Sequence, residues 1–434
     1  MSYLNKELKT VNGRSFKILD ELGTGGQGSV YKIKMDSGDE FAFKCYHSSR
    51  ATKRQYSILE RLVNDGSASK HFLWPIDLVK IDGDSSFGYI MPLLSKEYKT
   101  LNRYLSGNVH IPSYITMLRI AYNLVSAFKE LHVSGKCYQD ISYNNISFDP
   151  TDGSVLIFDN DNIVVNNTKL EESCTTGEFC APELRRGIAS ASTATDLHSL
   201  SVLLFEVLYM DHPFKGALAD QYFCYNYKAE AKILDNPVYI FDPTDTRNRP
   251  VDGMGKNAIF YHKIYSEKLR KLFEKSFTTG IGDPDRRTIE SEWVECFLFM
   301  LDNIVFCDRC SEIVFIDKGA IQQQCSHCGN VLNLKSQLKF EWVENGKNRQ
   351  IFLHENAVLY EYHINSSVDP DFSREILKVN RHPEKNLVGI KNCSGGKIDV
   401  ITQDGNSQVL QSGMTFRLKQ GIKFVVNNRE IIIR

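Results

Sequence analysis

No apolar run in this chain is long enough to cross a bilayer. The two most apolar stretches, "SLSVLLFEVLYM" and "WVECFLFMLDNIVF", are interrupted by Glu206, Glu295 and Asp302, and a spanning helix needs about 20 predominantly apolar residues. The opening "MSYLNKELK" lacks the apolar core of a secretion signal. An excess of charge of one sign is missing too. Lys and Arg number 52 against 53 Asp and Glu, for a net charge of −1, so no global pull toward nucleic acid or membrane is expected. Low-complexity tracts and fixed-period repeats are absent. Nor do the 11 cysteines read as a disulfide framework. Four form two Cys-x-x-Cys pairs and the rest are scattered, the pattern of a reduced, cytoplasmic chain.

What is present fits a folded protein. The 434 residues are 42% hydrophobic and 24% charged, enough for two or three domains. The first ninety residues read as strands, "FKILDEL", "SVYKIKM", "EFAFKCY" and "FGYIMPL", interrupted by a helix over "SSRATKRQYSILERLV". From about residue 100 the pattern turns helical. "SYITMLRIAYNLVSAFKELH" and "ATDLHSLSVLLFEVLYM" are apolar on most faces, which predicts buried helices, with strand-like "VLIF" between them. Residues 303–333 form a short cysteine-bearing unit. From 335 to 434, short alternating segments such as "LKFEWV", "AVLYEYHI", "KIDVIT", "MTFRLK", "KFVVN" and "EIIIR" predict a small β-sandwich.

Three spacings carry chemistry. In "GTGGQGSV", Gly23, Gly25 and Gly28 have G-x-G-x-x-G spacing, and strands stand on both sides. A dinucleotide site needs a helix there, whereas a glycine hairpin between strands lays backbone N–H groups over ATP phosphates. "FAFK" then puts Ala42 and Lys44 on the next strand. In "YQDISYNN", an acid and an amide, Asp140 and Asn145, stand five residues apart. After "VLIF", "DND" supplies Asp159 and Asp161.

Together these stretches resemble the eukaryotic-type protein Ser/Thr kinase superfamily over roughly residues 12–300. The resemblance implies a bilobal α+β kinase fold, residues 1–302, with an N-lobe of about 1–92 and a C-lobe of about 93–302. It implies that ATP binds at Leu22, Gly23, Thr24, Gly25, Gly26, Gln27, Gly28, Val30, Ala42, Lys44, Met91 and Leu93. Lys44 is expected to hold the α- and β-phosphates, Asp140 the substrate hydroxyl, and Asn145 and Asp159 the Mg²⁺. "TTGEFCAPEL" matches the end of an activation segment, with Thr176 expected against Asp140 and Glu183 paired with Arg287. Asp196 is expected to brace the catalytic loop. Ser173, Thr175 and Thr176 are candidate phosphorylation sites.

The departures matter as well. Tyr138-Gln139 stand where His-Arg is usual, so a partner for an activation-loop phosphate is missing. Ser142 replaces a cation that helps neutralise the transferred group. Gln55 falls where the helical Glu that orients Lys44 usually stands. Asp161, in place of a glycine, either assists a second Mg²⁺ or caps a turn. Two readings follow: a working kinase with tuned charge, or a pseudokinase scaffold that binds nucleotide without turnover. A small-molecule kinase is disfavoured by Ala181-Pro182-Glu183, which shapes a peptide-binding segment.

Cys307, Cys310, Cys325 and Cys328 have C-x₂-C-x₁₄-C-x₂-C spacing, which suits a tetrahedral structural Zn²⁺ in a zinc ribbon. His327 is expected beside the site and not in it. The tail loosely resembles forkhead-associated domains in its "KNCSGG" and "QDG" turns. Its phosphopeptide-binding elements are not recognisable, so protein binding or autoinhibition fits equally. "YQDIS" with "FDNDN", "HPF", "FDPTDTRNRP" and the ribbon resemble the bacterial kinases of tellurite-resistance-associated triads. That resemblance implies stress signalling, protein substrates, a PP2C-type phosphatase and a von Willebrand A protein as partners.

Overall fold

The computed structural model describes residues 3–81, 83, 85–168, 177–222, 226–381 and 387–434. The chain divides into two units, Met1–His262 with Leu269–Phe297, and Lys263–Lys268 with Leu298–Arg434. Among the described residues, no helix is long and apolar enough to cross a membrane.

The first unit opens with an antiparallel sheet of β1 (Glu7–Lys9), β2 (Ser15–Thr24), β3 (Gly28–Met35), β4 (Glu40–Tyr46), β5 (Asp77–Lys80) and β6 (Phe87–Pro92). Their spatial order is β1-β2-β3-β4-β6-β5. Side chains alternate across a strand, so β4 serves two cores. Phe43 and Cys45 join Phe16, Ile18 and Ile33 on one face. Ala42 and Tyr46 join Leu59, Tyr89 and Met91 on the other, and Lys44 shares that second face. Helix α1 (Lys53–Asp65) contributes Leu59 and begins at Thr52, whose hydroxyl accepts the Gln55 N–H.

Helix α2 (Tyr114–Val133) starts at Ser113, and α3 (Thr193–Tyr209) at Ser192. Each serine accepts a backbone N–H three residues on, which satisfies an end the helix itself leaves open. Every residue of α3 from Thr195 to Tyr209 is buried, as a sequence without a polar face requires. A hairpin of β7 (Ile146–Phe148) and β8 (Val155–Ile157) lies between the helices in chain order.

A buried ion pair ties the end of this unit to its middle. Arg287 donates to both Glu183 oxygens at 2.7 and 2.9 Å, and also to the carbonyls of Gly280 and Ala194. It is 1% exposed. Every guanidinium nitrogen thus has a partner, the condition under which a charge can be buried.

The second unit starts with two hairpins, Ile304–Phe306 with Ile313–Phe315, and Gln322–Gln324 with Val331–Asn333. Two antiparallel sheets follow. One runs Lys347–Phe352, Lys339–Glu344, Arg429–Ile433, Lys423–Val426, Ile398–Ile401, Ser407–Leu410. The other runs Val358–Tyr360, Glu375–Arg381, Val388–Asn392, Thr415–Arg417. Phe340, Leu359, Leu377, Ile390, Val400 and Phe424 from both sheets share one core. The strand expected over "AVLYEYHI" is corrected: it stops at Tyr360, and Glu361–Ile364 form a helical turn. His363 decides this, because its Nδ1 accepts the Tyr360 N–H at 2.9 Å and its Nε2 lies 3.0 Å from Asp302.

Arg287→Met leaves the Glu183 carboxylate without its partner and is expected to cost about 3–5 kcal/mol. Denaturant unfolding measures it; a loss below about 1 kcal/mol would contradict a buried pair.

Candidate active site

The glycine hairpin joins β2 to β3. Gly28 is required by close approach, since a Cβ there would lie 2.1 Å from the Cys45 carbonyl oxygen. Side chains at Gly23, Gly25 and Gly26 would meet nothing within 4 Å, so open space lies around that turn. Leu22 and Thr24 are exposed on β2, and the Gln27 side chain points at Lys44. Val30, Ala42, Met91 and Leu93 belong to one apolar cluster that Leu156, on β8, joins from the C-lobe. Leu156 was missed by sequence reasoning, because a lone leucine in "VLIF" carries no motif.

Lys44 is the centre of the polar side. Its Nζ lies 3.1 Å from Asp159 Oδ1, 3.2 and 3.3 Å from the two Asp161 oxygens, and 3.4 Å from Gln27 Oε1. Burial works against its charge, but Asp161 and then Asp159 outweigh it and hold the ammonium above the usual lysine range. Asp159 shows the opposite balance. Burial, then Asp161 and Asp140, push its carboxyl above the ordinary range despite the pull of Lys44.

Gln55 does not orient Lys44, contrary to the expectation. It is the third residue of α1, and its side-chain oxygen accepts the Thr52 N–H at 3.2 Å, closing a capping box. Asp161 neither caps a turn nor opens to solvent; it is a buried partner of Lys44 and of the Tyr46 hydroxyl.

The loop between α2 and β7 brings Asp140 and Asn145 together. Asn145 Nδ2 donates to Asp140 Oδ2 at 2.8 Å and to the Asp140 carbonyl at 2.9 Å. The five-residue spacing is what lets one amide span the turn. Asp196, at the start of α3, accepts the N–H groups of Tyr138 and Gln139 at 2.5 and 3.2 Å. Gln139 is buried with φ of 70°, a conformation that costs about 1–3 kcal/mol and persists only where the surroundings enforce it. Tyr138 donates its hydroxyl to the Phe158 carbonyl, tying this loop to the residue before Asp159. Asn160 donates to the Leu73 carbonyl at 2.7 Å, so a hydrogen bond holds the Asp159–Asp161 turn where an aromatic ring is usual. Ser142 is buried and brings no charge. Thr176, with Ser173 and Thr175, lies outside the described residues.

Behind the loop, His132 Nε2 donates to Asp196 at 3.1 Å and Nδ1 donates to Glu290. Burial opposes its protonation, but Asp196 and Glu290 prevail and raise its pKa to about 9.

The second unit holds a separate cluster. Cys307, Cys310, Cys325 and Cys328 place all four Sγ atoms within 4.8 Å of one another, with Cys307–Cys328 and Cys310–Cys325 at 3.6 Å. Zn–S bonds of about 2.3 Å in a tetrahedron make edges of about 3.8 Å, so the four thiols fit that ion. Each pair sits at the tip of one hairpin. Ser311 and Gly329 follow the pairs at φ of 59° and 73°, and each N–H returns to the carbonyl of the first cysteine of its pair. His327 lies 3.9 Å from Glu312.

A glycine hairpin next to a buried lysine, two carboxylates bonded to that lysine and an acid–amide loop together form the architecture of enzymes that handle nucleotide phosphates. The chain belongs to the protein kinase domain family, whose model matches residues 16–290. It is 27% identical over 214 residues to the serine/threonine-protein kinase AtPK2/AtPK19 of Arabidopsis thaliana, covering 46% of this chain and 43% of that one. To a putative ribosomal protein S6 kinase alpha-1 of Caenorhabditis elegans it is 28% identical over 221 residues, 47% of this chain and 26% of the other. To protein kinase YegI of Escherichia coli O157:H7 it is 28% identical over 223 residues, 48% and 34% respectively. The chain thus spans less than half the length of these relatives.

The His132 contacts predict a stability that depends on pH. With an unfolded pKa near 6.5 and a folded one near 9, the stabilisation is complete below about pH 6.5 and is lost as pH rises through about 9. His132→Gln should flatten that decline in thermal melts between pH 6 and 10. An unchanged slope would show that His132 is not the titrating group.

Proposed function

We propose that this chain is a Mg-ATP-dependent protein kinase that transfers the γ-phosphate to Ser or Thr of partner proteins and of itself. The observation that carries this reading is the convergence of Lys44 and Asp159 within 3.1 Å on one wall of the cleft, with Asp140 bonded to Asn145 on the loop below. In this reading Asp140 accepts the hydroxyl proton, and Lys44 meets the α- and β-phosphates. The carboxylate of Asp159 and the amide oxygen of Asn145 are hard donors that suit Mg²⁺. When bound, the ion neutralises charge on the phosphates. Ser142 supplies no cation, so transfer is slowed and not abolished.

The finer organisation is also part of the proposal: residues 1–302 as the kinase, 303–333 as a zinc ribbon and 335–434 as a sandwich like the forkhead-associated domains. The thiol spacing supports a closed, structural zinc, since four protein ligands leave no open position. The "YQDIS", "FDNDN" and "FDPTDTRNRP" stretches support a place in bacterial, cytoplasmic stress signalling. The partners would be a PP2C-type phosphatase and a von Willebrand A protein.

Incubation with γ-labelled ATP and Mg²⁺ should label the protein, and Asp140→Ala should lower the rate by about 10²–10⁴-fold with an unchanged melting temperature. No label on the protein, on those partners or on a generic acceptor would favour the scaffold reading. Metal analysis should find one zinc per chain, lost in Cys325→Ser together with part of the thermal stability. A metal-free protein of equal stability would remove the zinc from the account.

A further inference from the structure

The buried acid at Asp161 has no role in the kinase reading as stated so far, yet it makes the closest enclosed contact of Lys44. Both of its oxygens face Nζ, and Oδ2 also accepts from the Tyr46 hydroxyl. The Tyr46 and Tyr89 ring centres lie 5.3 and 6.0 Å from the same nitrogen. The side chains of Lys44 and Asp161 are 5% and 3% exposed, whereas Asp159 is 38% exposed. Asp159 is therefore open to an incoming cation and Asp161 is walled off from one. Helix α1 offers no competing anion. Glu60 is exposed, Asp65 pairs with Lys136 at 3.1 Å, and the Gln55 amide is occupied by the helix cap.

We propose that Asp161 is the positioning residue of Lys44, doing from the metal loop what a carboxylate on α1 would otherwise do. The inference rests on the kinase reading and deepens it. An anion fixed behind Nζ holds the ammonium in place while Asp159 turns to the metal, and the Tyr46 hydroxyl fixes the anion in turn. Lys44 is then aligned by β4 and the segment after β8, and the position of α1 does not gate it.

Calorimetric binding of a non-hydrolysable ATP analogue with Mg²⁺, and of adenosine, tests this in the full chain. Asp161→Asn should weaken the analogue about tenfold, Lys44→Met should do the same, and the double variant should fall no further, the signature of two residues acting as one unit. Adenosine carries no phosphate and should bind all variants equally. Gln55→Ala should bind the analogue as the wild type does. The proposal is overturned if Asp161→Asn binds normally, if its loss adds in full to that of Lys44→Met, or if adenosine weakens in parallel, which marks general damage. A wild type that binds adenosine but not the analogue would also overturn it. Wild type that binds neither would instead defeat the kinase reading itself, and this inference with it.

Discussion

A buried lysine has to be neutralised, and how this chain neutralises Lys44 organises the rest of the site. Removing an ammonium from water is costly unless opposite charge and hydrogen bonds replace the solvent. Here both counter-charges come from one short turn, at Asp159 and Asp161. That turn must then be held firmly. Tyr138 reaches the carbonyl before it, and Asn160 within it bonds to Leu73. The catalytic-type loop is fixed from the other side by Asp196, which His132 and Glu290 back up. One polar chain therefore runs from β4 through the Asp159–Asp161 turn to the start of α3, and its buried charges at Lys44, Asp161, His132 and Asp196 are all paired.

Three of the departures from the usual kinase residues build this polar chain. A tyrosine replaces histidine and uses its longer reach to bond the Phe158 carbonyl. An asparagine replaces a phenylalanine and exchanges packing for a directed bond. An aspartate replaces a glycine and becomes the second counter-ion. The changes at 160 and 161 put a hydrogen bond and a charge where a phenylalanine ring and a glycine are usual. A network made of directed bonds is less tolerant of displacement than packed rings.

Much of this was legible because the motifs are local. The glycine hairpin, "FAFK", the Asp140–Asn145 spacing and the paired cysteines each depend on residues within one turn or strand. The "FAFK" stretch alone was enough to put Ala42 and Lys44 on one strand after the hairpin. What was not legible is what the chain joins from afar. Gln55 follows the usual alignment, yet a helix start at Lys53 commits it to the cap. Asp161 is a strong motif departure, but its partner Tyr46 lies 115 residues away. Strand β5, "DLVK", is short and buried along most of its length, so it shows no alternation. The turn at Glu361–Ile364 depends on the His363–Asp302 contact, 61 residues apart.

The central claim is that Lys44, Asp159, Asn145 and Asp140 serve one nucleotide. A crystal structure with Mg²⁺ and a non-hydrolysable ATP analogue tests it most directly. The account predicts the lysine nitrogen on a phosphate oxygen with its bond to Asp161 kept, and Asp159 moved onto the metal. An empty cleft at saturating analogue, with Lys44 still bonded to Asp159, would contradict it.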